Sequence, residues 1–363
     1  MRELTIAGHR IADDTPAWIV AEIGHNHQGS VETCKMLFEA AKDCGADAVK
    51  LQKRDNKTLF TREMYDSPYN SEHAYGDTYG AHREALEFGW DEYVELKAYA
   101  ESLGLTFFAT AFDVPSADFL NRLDIGVFKV ASGDLATLPL IRYIATFGKP
   151  MIISTGGGTA KDVRRAYEPF KLGLHVVFDR FGGYEPERNV AFLQCTASYP
   201  SQPCEMNLRV IETYRDWFPN TVIGLSDHYD GIAMGPVSYA LGARIFEKHF
   251  TLNHTWKGSD QAFSLEPDGM KRFVRDIHRT REALGDGFKR RYESENAPLR
   301  KMAKSLYAAR DLPPAHVLTA ADIVIKTPVV DGACPPWMLD ALIGKTLRSH
   351  LQAEWVIRQE DVE

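Results

Sequence analysis

Eight short apolar runs mark the first 285 residues, at 18–23, 48–52, 106–110, 127–132, 151–155, 190–196, 222–225 and 244–250. Each is apolar almost throughout rather than alternating, as expected of strands covered on both faces in a parallel sheet. Helical periodicity fills the intervals. Over 91–103, Tyr93, Leu96, Ala100 and Leu103 share one face, and Gly104 stands at the C-terminal cap position. Over 267–284, Pro267 suits a first turn, Met270, Phe273, Val274, Ile277 and Leu284 follow one stripe, and Gly285 ends the helix. Alternation repeated this often predicts an α/β fold of the (β/α)8 TIM barrel type. The rival, an open doubly wound sheet, predicts a GxGxxG turn after the first strand, and EIGHNHQGS does not supply one.

Two stretches break the alternation. Residues 54–89 form a long, polar, tyrosine-rich connection after the second strand, and such a loop at the catalytic end of a barrel usually lies over the active site. Residues 174–189 read as a small hairpin inserted ahead of the sixth strand. Beyond Gly285 the pattern changes. Residues 286–300 are charged and read as a linker, and 301–363 are short strands and turns, too small for a strong independent core and expected to pack on the barrel or on a partner chain. The domain reading is therefore a catalytic barrel over 1–285, a linker over 286–300 and a small domain over 301–363.

Charge and cysteine content narrow the function classes. Lys and Arg number 42 against 50 Asp and Glu, a net charge of −8, which carries no electrostatic footprint for nucleic acid or an anionic membrane. No apolar run approaches the ~20 residues that span a bilayer, and MRELTIAGHRIADD lacks the apolar core of a signal peptide. Five cysteines (34, 44, 195, 204 and 334) form no CxxC pair, so a reducing cytoplasm is the expected compartment.

In a barrel of this type functional groups lie at the C-terminal ends of the strands, and here those ends are polar although the strand bodies are not. They carry, in order, Glu22; Lys50 and Gln52; Thr110; Lys129, Ser132 and Asp134; Ser154; Cys195 and Tyr199; Ser226, Asp227 and His228; Glu247 and His249. Burying such groups unpaired costs several kcal/mol each, so one convergent polar pocket is the simpler reading. Lys50 and Lys129 with Thr110, Ser132 and Ser154 suit a phosphate and a carboxylate; the competing reading pairs the lysines with neighbouring carboxylates. Gly156–Gly158 after Ser154 leave room for backbone to approach an oxyanion. His228 and His249 end adjacent strands and suit a divalent metal such as Mn2+ or Zn2+, completed by Asp or Glu, against an equally weighted pair of hydrogen-bonded core histidines. His25 and His27 are weaker candidates, and Cys195 reads as a small core residue.

These residues fall in stretches that resemble the sialic acid synthases, a family that includes the legionaminic and pseudaminic acid synthases. The stretches are IVAEIGHNHQGS (19–30), CGADAVKLQ (44–52), FKVASGD (128–134), GKPMIISTGG (148–157), QCTASYP (194–200), IGLSDH (223–228) and FEKHFT (246–251). SLYAARDLPPAHVLTAADI (305–323) and DALIGKTL (340–347) are similar to the antifreeze-like (SAF) domain that follows the barrel in that family.

The resemblance implies condensation of phosphoenolpyruvate with an open-chain aldose to a 2-keto-3-deoxy acid and phosphate. It implies that Lys50, Lys129, Thr110, Ser132, Ser154 and Ser226 hold phosphoenolpyruvate and that Glu22 manages protons. On the same basis Gln52, Tyr199, Asp227 and Asp260 line the sugar side, and His228 and His249 hold the metal, with Mn2+ expected and Mg2+ or Co2+ as alternatives. A domain-swapped homodimer is implied as well. The chain departs from the family pattern at three positions. Asp134 stands where Glu is usual, Ala197 where Asn is frequent, and Thr327 where an Arg reaches the sugar's N-acetyl group. A threonine has no planar cationic fork, so the acceptor is expected to differ from simple N-acetylmannosamine, or Lys326 to take over the contact. Competing readings are a sugar-phosphate condensation without the SAF tail, a Schiff-base aldolase on Lys129 or Lys50, and a non-catalytic sugar-binding barrel.

Overall fold

The computed structural model describes residues 1–178 and 185–363, and the chain divides into Met1–Gly285 and Asp286–Glu363. An antiparallel hairpin that the apolar pattern did not announce opens the first unit, from β1 (Glu3–Ile6) and β2 (His9–Ala12). Its Leu4, Ile6 and Ile11 are buried. Ala7 packs beside Gly126, just ahead of the fourth barrel strand, and Asp13 lies 4.0 Å from Arg244, just ahead of the eighth. The hairpin therefore covers the N-terminal end of the barrel, away from the strand ends that carry the candidate chemistry.

The barrel strands are β3 (Trp18–Gly24), β4 (Ala48–Lys53), β5 (Thr106–Ala111), β6 (Phe128–Val130), β7 (Met151–Ser154), β8 (Val190–Cys195), β9 (Val222–Asp227) and β10 (Ile245–His249). All pair in parallel with their sequence neighbours, and β10 returns to β3 to close the ring. Closure removes both sheet edges, and the helices cover the outer face, which is why the strand bodies need no polar face. Helices Trp90–Ser102 and Pro267–Leu284 occupy the two periodic stretches, and Gly104 adopts the left-handed φ of +71° that a C-terminal cap favours.

Residues 174–178 do not begin a hairpin. They complete the helix Ala160–Phe178, because Val163, Ala166, Phe170 and Leu174 continue a single buried stripe. The remainder of the expected hairpin falls partly on 179–184, outside the described residues; Pro186–Arg188 is a 3-10 turn. The 54–89 connection contains three short helices, Asn56–Leu59, Arg62–Asp66 and Tyr79–Glu84. Each is capped by a side chain, Asp55, Thr61 or Thr78, that accepts a backbone N–H of the first turn.

In the second unit the region read as a linker runs into a helix, Asn296–Met302. The remainder is built on the antiparallel pair β11 (Ser305–Ala308) and β12 (Ile323–Lys326). Leu306, Leu312, Leu318, Leu347 and Ile357 belong to its own apolar core. Asp322 is fully buried there and accepts hydrogen bonds from Arg310 and Thr319, with His316 Nε2 2.9 Å away. Among the described residues no helix is long and apolar enough to cross a membrane.

Candidate active site

Parallel register decides which side chains meet at the C-terminal end of the barrel. Glu22 stands beside Lys50 and His249, Glu247 beside Ser226, and Thr110 beside Lys129. Along each strand, neighbours alternate between the barrel interior and the surrounding helices. Ser226, His228, Glu247 and His249 thus share one cavity of about 390 Å3, lined also by Glu22, Lys50, Gln52, Thr110, Lys129, Ser132, Ser154, Tyr199 and Asp260.

The floor is a compact ion network. Lys50 Nζ lies 2.7 Å from Glu22 Oε2 and donates to Thr110 Oγ1 at 2.8 Å. Glu247 is 3.7 Å from Lys50 and 3.6 Å from Lys129, and it accepts the Ser226 hydroxyl at 3.0 Å. Both lysines therefore do pair with carboxylates, yet they line the cavity as well, so the two readings of them hold together. Burial pushes the Glu247 carboxyl up, but Lys129 and Lys50 outweigh it and hold it below the usual carboxylate range. Burial lowers the Lys129 ammonium, with Glu247 opposing. The Ser154 hydroxyl is buried with no hydrogen-bond partner, which leaves it for a ligand.

Opposite this floor, the rings of His228 and His249 lie with centroids 5.4 Å apart. His228 Nδ1 is 2.9 Å from the Thr196 carbonyl, which can only accept, so Nδ1 carries the hydrogen and Nε2 keeps its lone pair. Burial, then the neighbouring His249, push His228 down to about 3 and keep it neutral. His249 Nδ1 is buried without a hydrogen-bond partner, 3.7 Å from Asp260 Oδ2. A pair of satisfied core histidines would not leave that nitrogen orphaned. A neutral His228 beside a second imidazole and a carboxylate suits a divalent cation. Among the described residues no group of three or more His, Cys, Asp or Glu is placed to hold a metal ion, so a cation here would have the two imidazoles as protein ligands and take the rest from water or substrate.

The adjoining wall is organised around Gly24, whose φ is +54° and whose absent side chain leaves space for Gln52, Asp260 and Glu22, all 3.2–3.3 Å from where a Cβ would stand. Gln52 donates to Glu22 Oε1 at 2.8 Å, tying this wall to the floor. The Tyr199 ring lies tilted against His228, centroids 4.1 Å apart, while remaining 55% exposed.

Two expected residues do not reach the cavity. Asp227 turns outward between Ser226 and His228, pairs with Lys248 at 3.0 Å and accepts the Tyr229 N–H. Asp134 accepts the Thr137 hydroxyl at 3.1 Å in the turn beyond β6 and does not line the cavity. The glycine run also works differently from expectation. The Gly156 N–H is taken by Ser132 Oγ at 3.0 Å, and a Cβ there would meet Ser132 at 2.8 Å, so this glycine packs the site rather than binding an oxyanion. Cys195 is buried at 3.4 Å from the Ser132 hydroxyl, with its thiol pushed up by burial, in keeping with a core role.

Arg54, Arg83, Phe112 and Ser259 line the cavity and were passed over, while Glu247 and His25, noted at or near the strand ends, had been given no role. Strand parity with His249 accounts for Glu247, and parity with Lys50 and Gln52 would have found Arg54. Arg83 arrives on the 54–89 loop, where no periodic signal marks it. Ala197, one of the departures noted above, does line the cavity.

Comparison with known proteins places this geometry. Residues 37–289 match the NeuB family and residues 303–363 the SAF domain. The mouse and human N-acetylneuraminate-9-phosphate synthases are each 37% identical over 98% of this chain and 95% of their own length. The N,N'-diacetyllegionaminic acid synthase of Campylobacter jejuni is 31% identical over 94% of this chain and 98% of its own. Among solved structures, the N-acetylneuraminic acid synthetase of Leptospira borgpetersenii, in complex with citrate, superposes with a TM-score of 0.68 at 29% identity, over 82% of this chain and 95% of that one.

Proposed function

The chain belongs to the NeuB family and carries a SAF domain after its barrel, and on that premise we propose that it condenses phosphoenolpyruvate with an open-chain aldose. The products are a nonulosonic, sialic-acid-like 2-keto-3-deoxy acid and inorganic phosphate. The observation that carries this reading is a single cavity with a cationic, hydroxyl-bearing floor on one side and two imidazoles beside a carboxylate on the other.

The chemistry assigns work to each side. Lys50, Lys129, Ser132, Ser154 and Ser226 bind the phosphate and carboxylate of phosphoenolpyruvate and fix its face. Its methylene carbon forms a bond to the aldehyde carbon, and the aldehyde oxygen takes up a proton. Water then adds at the phosphate-bearing carbon and loses one proton, and the C–O bond to phosphate breaks as the remaining hydroxyl proton passes to the departing phosphate, leaving the ketone. Glu22, held by Lys50 and Gln52, stands where those protons must move. His228 and His249 would hold the metal, Mn2+ by expectation, with Asp260 beside them. A divalent cation there would polarise a carbonyl oxygen as a Lewis acid. Gln52, Tyr199 and Asp260 face the sugar.

A reducing compartment is supported by five free cysteines. A domain-swapped homodimer is supported by Trp337 and Trp355, 81% and 59% exposed on the second unit, rings that a partner surface would cover. Lys326, suggested as a stand-in for the missing arginine beside Thr327, already pairs with Glu354. The named products of the relatives include one with a 9-phosphate and one without, so family membership alone does not settle the acceptor. Metal removal tests the reading. EDTA should abolish aldose-dependent phosphate release and Mn2+ restore it, whereas full activity in EDTA together with covalent trapping by borohydride would favour a Schiff-base aldolase.

A further inference from the structure

Two arginines on the cavity wall have no role in the condensation derived above. Arg54 is 9% exposed, and its guanidinium lies over the Phe112 ring, 3.7 Å from the centroid. Its Nη2 donates to Gln52 Oε1 at 2.8 Å, and its Nη1 faces His25 Nε2 at 3.1 Å. Arg83 approaches the other side of the same ring, with Nη1 3.3 Å from His25 Nδ1, while its Nε and Nη2 donate to the Tyr79 hydroxyl at 3.0 and 2.8 Å.

That arrangement is incomplete as it stands. Arginine only donates, and a neutral imidazole accepts at one nitrogen and donates from the other. Burial and the two arginine charges push His25 well below its ordinary range, so it is neutral. In either tautomer, one guanidinium N–H faces a ring N–H. Among the described residues no carboxylate pairs with Arg54 or Arg83; Glu87, at the end of the same loop, is taken by Lys53 at 2.7 Å. Burial, then the charge of Arg83, lower Arg54 to about 10, and the charges of Glu87 and Asp260 only partly oppose this.

We infer that Arg54 and Arg83 bind a phosphate monoester on the end of the acceptor remote from its aldehyde, so that the acceptor class is a phosphorylated aldose. The inference rests on the condensation reading. The anions of phosphoenolpyruvate are matched by the strand-borne lysines and hydroxyls, whereas this pair is loop-borne and joined to Gln52 on the sugar side. A phosphate dianion offers three terminal oxygens and can accept from both forks at once, while a carboxylate's two oxygens are used up by one fork.

The test compares N-acetylmannosamine with N-acetylmannosamine 6-phosphate as acceptors, in wild type, Arg54→Gln and Arg83→Gln, following keto acid and phosphate with phosphoenolpyruvate present. Wild-type kcat/KM should favour the phosphorylated sugar, and each variant should reduce that preference by about 10- to 100-fold, chiefly through KM, as loss of one charge-assisted contact implies. Equal use of the two sugars by wild type, or a preference unchanged in both variants, overturns the inference and leaves the condensation reading standing. If no aldose releases phosphate, the condensation reading falls, and calorimetric binding of the same two sugars decides the inference separately. Tighter binding of the phosphorylated sugar that is lost in Arg54→Gln upholds it; equal binding overturns it. Thermal melting of both variants guards against misfolding.

Discussion

The floor of the cavity and its loop-borne wall treat charge in opposite ways. On the strand ends, Lys50 lies 2.7 Å from Glu22 and Lys129 lies 3.6 Å from Glu247, within a network that is almost wholly buried. On the wall, Arg54 and Arg83 face one imidazole with no carboxylate between them. The floor is balanced before any ligand arrives, so its geometry belongs to the folding of the barrel. Balance on the wall awaits an anion. Preorganised charge suits the reacting centre, where reorganisation is costly, and unsatisfied charge suits recognition, where it penalises the wrong ligand.

The largest expected effect breaks the floor. Lys50→Met leaves Glu22 and Glu247 short of a cation, and loss of one partner from a buried pair costs about 3–5 kcal/mol. Turnover should fall about 10²- to 10³-fold, as for loss of one preorganised donor. Urea denaturation and steady-state kinetics check both, and a stable, active variant would erase the contrast.

Asp322 in the second unit repeats the balanced arrangement, since Arg310, His316 and Thr319 surround it. Asp322→Asn should destabilise that unit by about 1–3 kcal/mol. Burial raises this carboxyl, but the bonds from His316, Thr319 and Arg310 prevail and hold it below its ordinary value. A depressed carboxylate contributes stability above its unfolded pKa of about 3.9 and loses it as pH falls further. Hydrogen exchange of the full chain should therefore show 303–363 loosening first below about pH 4; unchanged protection there would contradict this.

Gly24 joins floor and wall. Gly24→Ala forces an alanine into φ +54° against Gln52, Asp260 and Glu22, with an expected cost of about 1–2 kcal/mol and a rise in acceptor KM. The smallest effect concerns the wall itself. Arg83→Gln removes one of two like charges, so the unfolding free energy from urea denaturation should change by less than about 1 kcal/mol, in contrast to Lys50→Met.

What could be read in advance follows the same division. The barrel strands announced themselves because burial on both faces demands continuous apolar runs, and the parallel register then forces Lys50, Lys129, His228 and His249 to converge. Asp227, placed on the sugar side by the resemblance, is turned to Lys248 by parity along β9. The hairpin β1–β2 escaped notice because only Leu4, Ile6, Ile11 and Ala12 of it are buried, too few positions for a pattern. Arg83 and His25 are positioned by loop geometry that no residue period encodes.

The central claim is that one cavity joins phosphoenolpyruvate to an aldose. It is tested most directly by measuring, in a single reaction with both substrates and a divalent cation, the phosphate released and the 2-keto-3-deoxy acid formed. Strict dependence on the aldose, with the two products appearing in equal amounts, is the predicted result. Phosphate release without aldose, or no keto acid from any aldose phosphorylated or free, would contradict it.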